Sequence, residues 1–189
     1  MMWLLRRPAT MSKRDALLWG IFWMLVGAIL GWYFSIVPTS VVGYTWGSTS
    51  LIYQVLYSVV LWVSLVLPMY AAALVLNSRV GLLELSGRML FAHMPILFLM
   101  LPAMFADKIA YSTFMSNPFN AQLSMPYIVL MPILVVVVMA WYLRWSYVAF
   151  SAVVKRSGWC VVALFGVAML LSYMLSAQVL EWVIYNIQV

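Results

Sequence analysis

LIYQVLYSVVLWVSLVLPMYAAALVL, residues 51–76, holds no charged side chain. A bilayer core of about 30 Å is crossed by roughly 20 apolar residues in helical form. Only helices and closed barrels satisfy their backbone groups in lipid, and a long unbroken apolar run selects the helix. Residues 51–76 therefore read as a membrane-spanning helix.

Outward from this stretch, four more runs have the same character: residues 16–36, 89–106, 125–150 and 159–184. The fold class is all-α, a polytopic bundle of five transmembrane helices in a single domain covering residues 1–189. The third run is the shortest and carries Pro95 and Pro102, so a kink is expected there. Composition agrees. At 67% hydrophobic and 7% charged residues, the chain has too little polar surface for a water-soluble domain. The formal charge of +6 does not read as nucleic-acid binding, because no basic run is interleaved with exposed aromatics. One cysteine, Cys160, excludes an intramolecular disulfide framework and a thiolate metal cluster.

The charge belongs to topology. Arg6, Arg7, Lys13 and Arg14 precede the first span, Arg79 and Arg88 lie between the second and third, and Arg144, Lys155 and Arg156 fall by the fourth-to-fifth connection. Lys108 alone falls on the other side. The positive-inside rule then predicts a cytoplasmic N-terminus and an outside C-terminus. Residues 37–50 form a charge-free outer loop, and residues 107–124, with Asp107 and Asn117-Pro118, form the second. Neither has a glycosylation sequon. Trp32, Tyr33, Tyr44, Trp46, Tyr142, Trp145, Trp159 and Trp182 suit an interfacial aromatic belt. At the N-terminus, Met1 to Arg7 are expected as a short interfacial helix ended by Pro8 and retained in the mature chain. Ser12, with Asp15 three residues on, predicts an N-cap for the first span.

Few residues are candidates for a site. Gly27 and Gly31 form a GxxxG on the first helix, and Ala168, Ser172 and Ser176 repeat a four-residue spacing on the fifth. Both patterns predict close helix packing, within the bundle or between copies. Arg144 and His93 are the possible functional polar residues. Arg144 lies about 27 Å along its helix from Pro126, near the cytoplasmic boundary, where it can snorkel. His93, the only histidine, comes out about 6 Å inside that same boundary if the third span starts at Met89. It has no second histidine or nearby cysteine with which to share zinc. Glu84 and Arg88, four apart, predict an ordinary surface pair on a short cytoplasmic helix.

The sequence has no G-x-S-x-G, H-E-x-x-H, P-loop or clustered carboxylates. No catalytic, cofactor-binding or metal-binding residue is assigned, and no enzyme activity or cofactor is expected.

Two stretches carry a resemblance. RRPATM, residues 6–11, and LNSRVGLLELSGRMLFAHMPILFLMLP, residues 76–102, resemble bacterial Yip1-domain membrane proteins, in which a short amphipathic turn leads into a proline-containing third helix. The resemblance implies the same five-span plan. It supplies no catalytic set, and the short N-terminal segment gives no ground for carrying over the GTPase contacts of eukaryotic relatives. The function expected is a non-enzymatic accessory or scaffold subunit of a bacterial inner membrane. Its expected partners are membrane lipids and other membrane proteins, a transport system or a second copy among them, and no nucleic acid. The alternative is a small transporter or channel-like permease, with Pro68, Pro95, Pro102, Pro126 and Pro132 breaking helices around a cavity. Such a protein should bring polar residues together near the midplane, for which Gln54, Ser58, Ser64, Ser172 and Ser176 are the material.

Overall fold

A computed structural model describes residues 8–76, 79–100 and 125–187. The expected interfacial helix at residues 1–7, Pro102 and the second outer loop lie outside the described residues. Helix α1 runs Lys13–Phe34, followed by a two-stranded hairpin of β1 (Ile36–Pro38) and β2 (Tyr44–Trp46). Then come α2 (Leu51–Leu76), α3 (Leu82–Ala92) continued by a 3-10 segment at Met94–Met100, α4 (Met125–Val154) and α5 (Trp159–Ile187). Among the described residues, five helical stretches are long and apolar enough to cross a membrane, as expected for an integral membrane protein.

Local chemistry explains the boundaries. The Asp15 amide donates to Ser12 Oγ at 3.1 Å, so the N-cap read from the sequence is made. Ser35 ends α1 in the left-handed region (φ 54°), turning the chain back into the hairpin. Pro68 and Pro132 remain inside continuous α-helix. Pro95 does not: α-helix gives way to the 3-10 segment around it. Proline lacks an N–H and pushes its predecessor away from α geometry, so the break has a local cause.

The third span differs from expectation. It begins at Leu82 rather than at residue 89, because the helix includes Glu84 and Arg88, and residues 101–106 of the expected span lie outside the described residues. Their charges are satisfied in place. Glu84 accepts from Arg88 at 3.3 Å and pairs with Lys13 at 2.7 Å. Arg88, buried, also donates to the carbonyls of Pro8 and Ala9 at 2.7 Å each. The ordinary surface pair is therefore a clamp between α3 and the segment ahead of α1.

Helices α1 and α3 run parallel in a fixed register. A side-chain carbon added at Gly87 would meet the Leu17 backbone at 2.8 Å, one at Gly20 would meet Leu90 at 3.0 Å, and one at Gly27 would meet Leu97 at 2.8 Å. The sequence offset is the same each time. The first outer loop is not simply exposed. Val37 and Val41 are buried, and the Val41 amide donates to Ser176 Oγ on α5 at 3.0 Å. On α2, Gln54 Nε2 holds the hairpin through the Ile36 carbonyl at 2.8 Å and Thr49 Oγ1 at 2.9 Å. The bundle thus has a basic end, where Lys13, Glu84 and Arg88 meet, and a hairpin end.

Candidate functional site

The break in α3 opens onto a cavity inside the bundle. Its walls come from α1 (Trp23, Met24, Gly27), α2 (Gln54, Ser58, Trp62 and neighbours) and the α3 break itself (His93, Met94, Leu97, Met100). Pro38 and Tyr44 of the hairpin complete it. Water centres can occupy about 50 Å³ of it. At roughly 10–15 Å³ per water this is room for a few waters or one small ion.

The fixed register sets the depth. His93 is level with Trp23, ten residues along α1 from Lys13, which is about 15 Å from the basic end. The 6 Å expected from a span starting at Met89 is replaced, because the helix starts about two turns earlier, at Leu82, and is pinned to α1. Helix α2 runs antiparallel to α1, with Gln54 against Gly31. Trp62, eight residues further, therefore returns to the level of Trp23. His93 and the polar edge of Trp62 meet the same cavity halfway through the bundle.

The polar groups divide into committed and open ones. Gln54 is engaged by the hairpin, and Ser58 Oγ donates to the Gln54 carbonyl at 2.9 Å. By contrast, His93 Nδ1 and Trp62 Nε1 are buried with no hydrogen-bond partner among the described residues. Leaving a buried polar group unmet costs about 1–3 kcal/mol, and both residues line this one cavity. The His93 ring stands edge-on to Tyr142 of α4, centroids 5.4 Å apart at 89°. That contact fixes the imidazole plane. Burial raises the Tyr44 phenol above its ordinary value, keeping it a neutral donor.

The 3-10 geometry decides which side chains line the wall. Three residues per turn place positions 94, 97 and 100 on one face, and Met94, Leu97 and Met100 are the ones that line the cavity. An α-helix would have rotated Met100 away.

Of the other sequence candidates, Gly27 lines the cavity and Gly31, Ala168, Ser172, Ser176 and Arg144 do not. Gly27 and Gly31 are buried, Gly27 against the Leu97 side chain and Gly31 against Gln54 and the Ile36 carbonyl. Ala168, Ser172 and Ser176 are also buried. Ser172 Oγ donates to the Ala168 carbonyl at 2.8 Å and the Leu65 carbonyl at 3.2 Å, joining α5 to α2. Ser64 is buried in α2 and does not line the cavity. Of the five polar residues proposed for a midplane site, Gln54 and Ser58 line it. Arg144 is exposed on α4. Sequence reasoning missed Trp62, and it read Tyr44 and Tyr142 only as belt anchors. A second, open groove at the basic end is lined by Ala9, Ser151, Lys155, Arg156 and Ser157, among others.

No family model matches the chain, and neither a curated protein nor a solved structure matches it.

Proposed function

We propose that this is a non-enzymatic integral membrane protein that binds a small solute in its midplane cavity, in the manner of a small permease. The observation that carries the reading is the cavity at the broken third helix, where His93 Nδ1 and Trp62 Nε1 lie buried and unmet. Discontinuous helices lining a polar site near the bilayer centre are how many transporters hold their cargo. Intramembrane ionisable residues mark such pathways. The proposal takes the basic end as cytoplasmic and the hairpin end as outside, by the positive-inside rule. It keeps the bacterial inner membrane as location and the Yip1-like plan as kinship. The groove beside Lys155 and Arg156 suits anionic headgroups of the cytoplasmic leaflet.

The accessory or scaffold reading remains as a second one. Its support is the broad apolar surface of α1, where Leu18, Trp19, Phe22, Leu25 and Ile29 are exposed and available to lipid or to another membrane protein.

The two readings separate on water access. A cysteine at Ser58, in a Cys160→Ser background, is to be treated with a small charged methanethiosulfonate in proteoliposomes. Modification at Ser58→Cys is expected, at a rate lower than at an exposed Lys155→Cys control. Full protection of Ser58→Cys while the control reacts would leave the cavity dry and favour the scaffold.

A further inference from the structure

The wall of the cavity is unusual in its sulfur. Met24, Met94 and Met100 all line it, together with His93. Methionine is a common gap-filler in apolar interiors, and a chain with 15 methionines will place some beside any cavity. Position distinguishes these. By the register that pairs Leu17 with Gly87, Gly20 with Leu90 and Gly27 with Leu97, Met24 on α1 is level with Met94 after the α3 break. His93 is the residue before Met94. Two thioethers and one imidazole from two facing elements therefore share one level of the bundle. Met100, two 3-10 turns on, lies about 12 Å further along the same wall.

We infer that the cavity is a site for a monovalent soft metal ion, Cu(I), held by the thioethers of Met24 and Met94 and the imidazole of His93. The inference rests on the cavity reading above and names its ligand.

Several observations select this ion class. Thioether sulfur is a soft donor that favours Cu(I), and imidazole suits copper as well. Among the described residues the lining includes no carboxylate and no thiol. A hard divalent ion would lack carboxylate oxygens there, and zinc would lack its usual donor set. A single positive charge on neutral ligands is also the least costly ion to hold at this depth, where unpaired charge is penalised. The room for water centres, about 50 Å³, is enough for one ion. His93 lines the cavity, and its Nδ1 has no hydrogen-bond partner among the described residues, so no side chain there already commits the imidazole. Met100 further along the wall gives a second soft donor for an ion moving towards the hairpin end. Binding is ligand exchange with no change of oxidation state.

The test uses full-length Cys160→Ser protein in mild detergent, so that the exposed thiol of Cys160 does not compete. Cu(I) supplied anaerobically is partitioned between the protein and a colorimetric Cu(I) chelator. One Cu(I) per chain is expected, with sulfur and nitrogen both in the X-ray absorption shell. Met24→Leu, Met94→Leu and His93→Gln should each weaken binding tenfold or more. Met69→Leu, in the core but away from the cavity, should leave it unchanged. Leucine nearly matches methionine in volume, and thermal unfolding of each apo variant checks that the fold persists. No Cu(I) binding overturns the inference, as does binding that survives Met24→Leu and Met94→Leu or falls equally with Met69→Leu. Modification of Ser58→Cys without Cu(I) binding would leave the cavity reading standing and remove the metal. Protection of Ser58→Cys would remove the cavity reading itself.

Discussion

Arg88 shows how one side chain changes the meaning of a charge in an apolar chain. Its guanidinium takes two backbone carbonyls and a carboxylate at once, using the fork geometry that lysine lacks. Arg88→Lys keeps the charge and is expected to lose about 1–3 kcal/mol of stability, read as a lower midpoint of thermal unfolding in mild detergent. An unchanged midpoint would mean the clamp is ornamental. Ser176 offers a second case. Ser176→Ala strands the buried Val41 amide and is expected to cost about 1–3 kcal/mol by the same measurement, more than an exposed Ser157→Ala. At this scale the sequence was partly legible. Ser12 announced its cap because the signal is local. The company of His93 was hidden, since Tyr142 reaches it from α4 and Trp62 lines the same cavity from α2, and no single segment specifies the rotation of those helices.

Among the elements, the decisive contact is α1 against α3. The GxxxG of Gly27 and Gly31 drew attention in the sequence, yet Gly27 faces only the end of a leucine side chain. The backbone-to-backbone approach is at Gly87, an isolated glycine where an added carbon would meet Leu17 N and Cα within 2.9 Å. Leucine side chains can turn aside, but a helix backbone cannot. Gly87→Ala is therefore expected to destabilise by about 1–3 kcal/mol and Gly27→Ala by less, with exposed Ile29→Ala as control. Equal losses at Gly87 and Gly27 would refute the register on which the depth of His93 depends. Spacing motifs show that close packing is possible without saying which partner arrives, so this contact was not legible. The start of α3 was missed for a related reason. Hydropathy leaves Glu84 and Arg88 on a separate short helix outside the span, whereas their pairing with each other and of Glu84 with Lys13 lets one helix carry them. The hairpin was likewise read as a loop, because its burial depends on Gln54 and Ser176 from distant helices.

For the whole molecule, the count of five apolar helices was legible from composition and run length alone, and the clustering of bases at one end follows the same segregation. Sidedness is open to direct labelling. In a Cys160→Ser background, a membrane-impermeant thiol reagent applied to intact cells is expected to modify Ser48→Cys, and Ser12→Cys and Ser157→Cys only after permeabilisation. The central claim is that His93 lies at mid-membrane depth beside a wet cavity. Because the chain has a single histidine, ¹⁵N-histidine labelling isolates this one ring in solid-state NMR spectra of the protein in bilayers. The expected result is polarisation transfer from water to the His93 nitrogens, with stronger relaxation from a nitroxide at the lipid chain ends than from a paramagnetic ion confined to the headgroups. A dry imidazole, or one relaxed chiefly from the headgroups, would contradict the account.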